Sequence, residues 1–200
     1  MRSCVFDVET TGLEAVGLGM LLCACVRPCS TGRTRVFRID DYKFKDDPHF
    51  GRWERQERLL LTDVLAELGK YDLLIGHNIE GYDLGFLRTR AQMLGVPFTL
   101  CPITYDTMVG FRRTKFRTVM NYKGKPTASL DMIADFLRVP QEKTKLYPVK
   151  HWDTVWANEA DRLDAMNELV DHCQRDVRMN TKVYDYILPA DNRLVLRRWM

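Results

Sequence analysis

The chain has 200 residues, of which 46% are hydrophobic and 28% charged, and a formal net charge of +3. That length supplies a core for one domain, and the composition is that of a soluble globular protein rather than a disordered or fibrous one. The charge total selects neither a strongly acidic nor a strongly basic partner, so any such preference has to lie in local clusters.

The first apolar run, Cys4-Val5-Phe6, is interrupted by two acids, Asp7 and Glu9. Side chains alternate along a strand, so Asp7 and Glu9 point one way and Val8 points back to the core. Two carboxylates on one face of a buried strand carry a large electrostatic penalty, which a hard cation would relieve. Thr10-Thr11-Gly12 then breaks the strand, and glycine permits a tight turn or a close backbone approach. On its own, Asp-x-Glu reads as a strand end with two exposed acids; two later segments change the balance.

Apolar runs at 20–27 and 34–39, turned by Gly32-Arg33, predict an antiparallel meander with the first strand. A helix follows over 53–68, with Leu60, Leu61, Val64, Leu65 and Leu68 as its buried stripe and Gly69 as its stop. A short strand at 71–75 leads into the loop Gly76-His77-Asn78-Ile79-Glu80-Gly81, and a helix at 82–94 ends at Gly95 and Pro97. Ile103-Thr104-Tyr105 is a further short strand.

Residues 111–126 contain Arg112, Arg113, Lys115, Arg117, Lys123 and Lys125, no acid, and the interleaved aromatics Phe111, Phe116 and Tyr122. Such a segment is either a solvated hairpin or an arm that contacts phosphates and stacks bases. A helix at 129–139 carries Leu130, Ile133, Ala134 and Leu137 on one face, and 141–159 is irregular and basic. The last helix, 161–188, has the stripe Leu163, Met166, Leu169, Val170, Cys173, Val177, Tyr184 and Ile187. The domain is therefore expected to occupy 1–188, with 189–200 as a short basic tail. A meander followed by alternating strands and helices predicts an α/β domain with a mixed sheet and helices on both faces.

Six cysteines are present, with no tight disulfide framework. Cys23, Cys25 and Cys29 lack a second Cys/His pair, so a zinc cluster is disfavoured and reduced thiols are expected. Asp7 and Glu9 interrupt any leader-like hydrophobic stretch, and the run at 17–26 is too short to cross a membrane. A cytoplasmic, nucleoid or nuclear protein, neither secreted nor membrane-bound, is the expectation.

Asp83, near the start of a helix, gains from the positive end of its dipole, and Asn78 supplies both a donor and an acceptor. His172 and Asp176, four apart on a helix, share a face beside Cys173 and Val177, while Asp171 and Arg175 read as solvated neighbours. Four carboxylates with one histidine are what two-metal phosphodiester hydrolysis requires. Two cations roughly 4 Å apart stabilise the attacking and leaving oxygens together, and a neighbouring base takes a proton from water. An all-oxygen shell suits Mg²⁺ or Mn²⁺.

Three stretches carry a resemblance to a known family: Asp7 to Leu13, Gly76 to Leu87, and His172-Cys173-Gln174-Arg175-Asp176. In order and content they resemble the three motifs of the DEDD, or DnaQ-like, 3′–5′ exonucleases. The second is similar to that of family B DNA polymerase proofreading domains, as is Ser129-Leu130-Asp131-Met132-Ile133-Ala134. The resemblance implies a ribonuclease H-like fold, a mixed five-stranded sheet flanked by helices. It implies Asp7, Glu9, Asp83 and Asp176 as ligands of two divalent cations, Mg²⁺ or Mn²⁺, with Asp7 bridging both. It further implies a pocket for the 3′-terminal nucleotide at Thr10, Thr11, Gly12 and Leu13, with Asn78 helping to place the strand. The third motif combines the histidine of one branch with the spacing of the other, so the base stays open between His172 and His151 in the irregular loop.

The resulting expectation is a metal-dependent 3′–5′ exonuclease that acts on single-stranded DNA ends and releases nucleoside 5′-monophosphates. The acid-free segment, through Arg112, Arg113, Lys115 and Arg117, would hold the strand. A 3′–5′ exoribonuclease is the near alternative. A catalytically silent nucleic-acid-binding module would be expected to lack one of the carboxylates, and a ribonuclease H-like endonuclease would not need the strand-end pocket.

Overall fold

A computed structural model of the chain describes residues 1–12, 15–16, 19–42, 53–100, 102–114, 128–140, 159–191 and 197–198. Strand β1 (Ser3–Thr10) is the centre of the sheet. On one side it pairs antiparallel with β2 (Leu21–Pro28), which pairs antiparallel with β3 (Arg35–Arg38). On the other it pairs parallel with β4 (Leu73–Gly76), which pairs parallel with β5 (Ile103–Asp106). This is the expected mixed five-stranded sheet, and a two-residue strand β6 (Arg197–Arg198) extends it along β5.

The two parallel steps need crossovers. Helix α1 (Trp53–Leu68) lies between β3 and β4, and α2 (Asp83–Met93) lies between β4 and β5. The stripe foreseen on α1, Leu60, Leu61, Val64, Leu65 and Leu68, is buried. Three further helices complete the chain: α3 (Thr107–Arg113), α4 (Leu130–Phe136) and the long α5 (Glu159–Ile187).

Strand parity shows which helix covers which face. Arg38 bonds Asn167 of α5, whereas Arg35 bonds Glu67 of α1, and residues three apart on a strand point to opposite faces. In register, Glu9 pairs with Cys23 and Cys23 with Arg38, while Asp7 pairs with Cys25. Asp7, Glu9, Cys23 and Cys25 therefore share the face covered by α5, and Phe6 and Val8 point to the α1 face. Both faces are covered, which is why β1 and β2 are apolar almost throughout.

Several expectations change. Phe111 is not a stacking surface: it is core, 1% exposed, and meets Phe136 edge-on with ring centroids 5.7 Å apart. The basic stretch begins inside a helix because Asp106 caps α3, accepting from the backbone N–H of Met108 at 2.9 Å and of Val109 at 3.2 Å. Leu163 is 53% exposed rather than part of the stripe on α5, while Ala165 and Met166 beside it are buried. The chain beyond 188 is not a mere tail. Asp191 is buried and accepts from Tyr105 Oη at 3.1 Å and from the Arg113 guanidinium at 2.8 Å, and β6 joins the sheet.

Asp191 thus compensates a largely buried guanidinium and a phenol at once. Asp191→Ala should leave both unpaired and lower the unfolding free energy by about 2–4 kcal/mol, measured by urea denaturation. Asp191→Asn, which keeps an acceptor, should lose less.

Candidate active site

The site forms where β1 ends. The register shifts between Glu9 and Thr10, so the strand bends just beyond its second carboxylate. Asp7 and Glu9, separated by one residue, project from the same face. Asp83 enters as the first residue of α2 and is 4% exposed. His172 and Asp176 come from successive turns of α5, with His172 Nε2 3.7 Å from Asp176 Oδ2 and 3.9 Å from Glu9 Oε1. The four carboxylates and the imidazole singled out from the sequence therefore meet in one place.

Their electrostatics follow from burial and mutual repulsion. Burial and then the Asp176 charge push Asp7 up from its ordinary 3.8 to about 8. Burial and the charges of Asp7, Asp176 and Asp83 raise Glu9 well above the usual carboxylate range. Burial and Asp7 do the same to Asp83. Burial lowers His172 below its ordinary value against the opposing pull of Asp176. Among the described residues no lysine or arginine forms an ion pair with Asp7, Glu9 or Asp83. Clustered carboxylates without a compensating side chain fit a cation of hard, oxygen-seeking character. The ligand atoms of Asp7, Glu9 and Cys173 lie within 4.8 Å of one another. The Cys173 thiol, however, donates to the backbone carbonyl of Asp7 at 3.4 Å, and burial drives its ionisation far upward. It is thus a protonated neighbour of the site, and oxygen donors remain for a hard cation.

Arg175 departs from the expected solvated role. Its side chain is only 11% exposed, and Nε donates to Asp176 Oδ1 at 2.9 Å while Nη2 reaches Asp131 at 3.3 Å. The guanidinium therefore holds Asp176 from behind. The sequence signal for it was an arginine directly beside the motif aspartate.

The turn after β1 is tied to α2. The hydroxyls of Thr10 and Tyr82 lie 2.6 Å apart, and both reach the carbonyl of Gly12, at 2.8 Å and 3.1 Å. Thr11 Oγ1 accepts from the N–H of Met20 at 2.9 Å. Among the described residues a Cβ at Gly12 would meet nothing within 4 Å, and its φ is not left-handed. Leu13 lies outside the described residues.

The loop from β4 to α2 is built on Asn78, which takes a left-handed φ of 59° and donates its N–H to Asp106 Oδ1 at 3.1 Å. A Cβ at Gly81 would lie 2.5 Å from Asn78 Oδ1, so any side chain there would push the Asn78 amide aside. His77 was missed by the sequence reading. It is held by Thr107 Oγ1 at 3.2 Å, and burial lowers it to about 4, so it is a neutral, hydrogen-bonded wall of the site.

The basic segment is only partly assembled. Arg112 is exposed in the last turn of α3, near enough to His77 to lower its basicity. Arg113 is neutralised by Asp191. Lys115, Arg117 and His151 lie outside the described residues.

The raised carboxylates predict a pH dependence. A folded state that holds a proton on Asp7 up to about pH 8, where the unfolded chain releases it near 3.8, is fully stabilised below the lower value. Stability is lost as pH rises through the folded value. In EDTA the melting temperature should fall between about pH 4 and 8, less so in Asp7→Asn. Added Mn²⁺ should raise it most at the upper end, as scanning calorimetry would record.

Comparison with known proteins agrees with this architecture. Over a stretch of 46 residues, 22% of this chain, the sequence is 50% identical to the DNA polymerase alpha catalytic subunit of Oryza sativa subsp. japonica, of which it covers 3%. The fold is similar to the family B DNA polymerase from the hyperthermophilic archaeon Pyrobaculum calidifontis, with a TM-score of 0.61 at 20% identity. That match covers 94% of this chain and 25% of the polymerase, so the chain spans a small part of either relative. The model of the RNase_H superfamily matches residues 4–188. With a match across almost its whole length, a mixed sheet flanked by helices and acids gathered at the end of the central strand, this chain belongs to the RNase_H superfamily.

Proposed function

We propose that the protein is a metal-dependent 3′–5′ exonuclease that hydrolyses the terminal phosphodiester bond of single-stranded DNA and releases nucleoside 5′-monophosphates. The observation that carries this reading is the convergence of Asp7, Glu9, Asp83 and Asp176, the first three without an ion-paired lysine or arginine among the described residues. Two divalent cations, Mg²⁺ or Mn²⁺, held by these four carboxylates would supply charge stabilisation to the attacking and leaving oxygens.

The chain's own groups do the rest. His172, kept neutral by burial, has Nε2 directed to the carboxylates and accepts a proton from the attacking water. Arg175 fixes the orientation of Asp176. Thr10 and Thr11 border the 3′-terminal nucleotide, whose backbone approaches at Gly12, where a side chain would intrude. Leu13 would complete this border. Asn78 places the penultimate part of the strand, and Arg112, with Lys115 and Arg117, contacts phosphates beyond it. DNA is favoured over RNA by the similarity of the second motif to polymerase proofreading domains.

The decisive experiment is incubation of 3′-labelled and 5′-labelled single-stranded DNA and RNA with Mg²⁺ or Mn²⁺. The expected result is early release of 3′ label as mononucleotide, faster from DNA, and abolished by EDTA or by Asp7→Ala at unchanged circular dichroism. Endonucleolytic fragments, or undiminished cleavage in Asp7→Ala, would refute the reading.

The rate should also rise with pH along a limb in the acidic-to-neutral range, as a depressed His172 loses its proton. His172→Gln should lower kcat by about 100-fold and remove that limb. Loss of activity in His151→Gln with His172→Gln still active would move the base to the irregular loop.

A further inference from the structure

A buried ion pair away from the carboxylates joins three elements around the proposed strand-end pocket. Glu57 of α1 is completely buried and Arg90 of α2 nearly so. Arg90 Nε donates to Glu57 Oε1 at 2.8 Å, and Nη2 donates to Oε2. Glu57 Oε1 also accepts from the N–H of Leu21, the first residue of β2, at 2.8 Å. Arg90 Nη1 donates to the carbonyl of Ala15 at 3.2 Å, inside the connection between β1 and β2. The middle of that connection and its junction with β2 are thereby fixed to the same pair.

Stability alone does not account for this arrangement. A buried ion pair is often no better for stability than a well-packed apolar pair of similar volume. What the planar fork of arginine adds is direction, because its donors leave in fixed lines. Arg90 lies seven residues after Asp83, about two turns along the same helix. A tether at Arg90 therefore sets how far Asp83 stands from the turn at Thr10, Thr11 and Gly12. A second tether, the Tyr82 hydroxyl on Thr10 and Gly12, lies beside Asp83 itself.

We infer that Glu57 and Arg90 are positioning residues that fix the gap between the strand-end turn and Asp83, and so set the affinity for the terminal nucleotide. The inference rests on the exonuclease reading above. It assigns no chemistry to either residue, since both are sealed from the site's solvent.

The test compares the wild-type chain with Glu57→Leu/Arg90→Met and with Arg90→Lys. The apolar pair leaves no uncompensated buried charge, so the fold should survive, as circular dichroism and thermal melting would report. Three quantities are read: KM and kcat for 3′-labelled single-stranded DNA, Mn²⁺ affinity without substrate by electron paramagnetic resonance, and amide exchange over residues 11–21 by mass spectrometry. In the double variant, KM should rise about tenfold with kcat within about threefold. Mn²⁺ affinity should be kept and exchange over residues 11–21 should quicken. Arg90→Lys, which keeps the charge but cannot fork to both Glu57 and Ala15, should fall between.

A folded double variant with wild-type KM and wild-type exchange overturns the inference. If the double variant does not fold, unchanged KM and exchange in Arg90→Lys overturn it instead. If the wild-type chain releases nothing from either labelled end, the exonuclease reading fails on its own. Exchange over residues 11–21 then still decides whether the pair holds the turn.

Discussion

Mutual repulsion among buried carboxylates is the interaction on which the rest of this structure depends. Asp7, Glu9 and Asp83 each resist ionisation because burial and their neighbours' charges act in the same direction. Folding brings these acids together only because the surrounding elements are fixed by other contacts. β1 is central and paired on both sides, α2 is anchored through Tyr82 and Arg90, and α5 lies across the sheet with Cys173 against the carbonyl of Asp7. The cost of burying these acids together is thus borne by the scaffold, and a bound cation would relieve it.

The charged groups of the scaffold divide accordingly. Arg175, Arg90 and Arg113 all pair with acids, yet none approaches Asp7, Glu9 or Asp83 as an ion-pair partner. Arg175 takes Asp176, among the described residues the one member of the quartet with a guanidinium partner, and Asp131 shares the same head. The arginine guanidinium groups thereby support the rim and the frame of the site. A guanidinium inside the centre would neutralise the acids but would block a metal.

Polar tethers also determine the shape of the cleft around this centre. Asp106 caps α3 and holds the N–H of Asn78, so the loop that leads into Asp83 is fastened to the next strand. Thr107 links His77, the carbonyl of Gly76 and Asn180 of α5. These bonds run between the end of β4 with its following loop, the junction of β5 with α3, and α5, the elements that must keep register if Asp83 and Asp176 are to face Asp7.

The sequence by itself determined the alternation of Asp7 and Glu9 about Val8, the shared face of His172 and Asp176, the stripe of α1 and the order of the first five strands with α1, α2, α4 and α5, but not α3 or β6. Each depends on spacing within one element, where the period of a strand or helix is fixed by backbone geometry. Only the tertiary structure decided the fate of charges whose partners are distant in sequence. Arg175 read as a solvated neighbour and Arg113 as part of a phosphate-contacting arm, but Asp131 and Asp191 claim them from 44 and 78 residues away. Glu57 and Arg90 each lie in line with an apolar stripe, an anomaly visible in either helix alone. That they satisfy one another follows only when β2, α1 and α2 are packed together, because periodicity fixes which face a side chain takes and never which chain segment meets it.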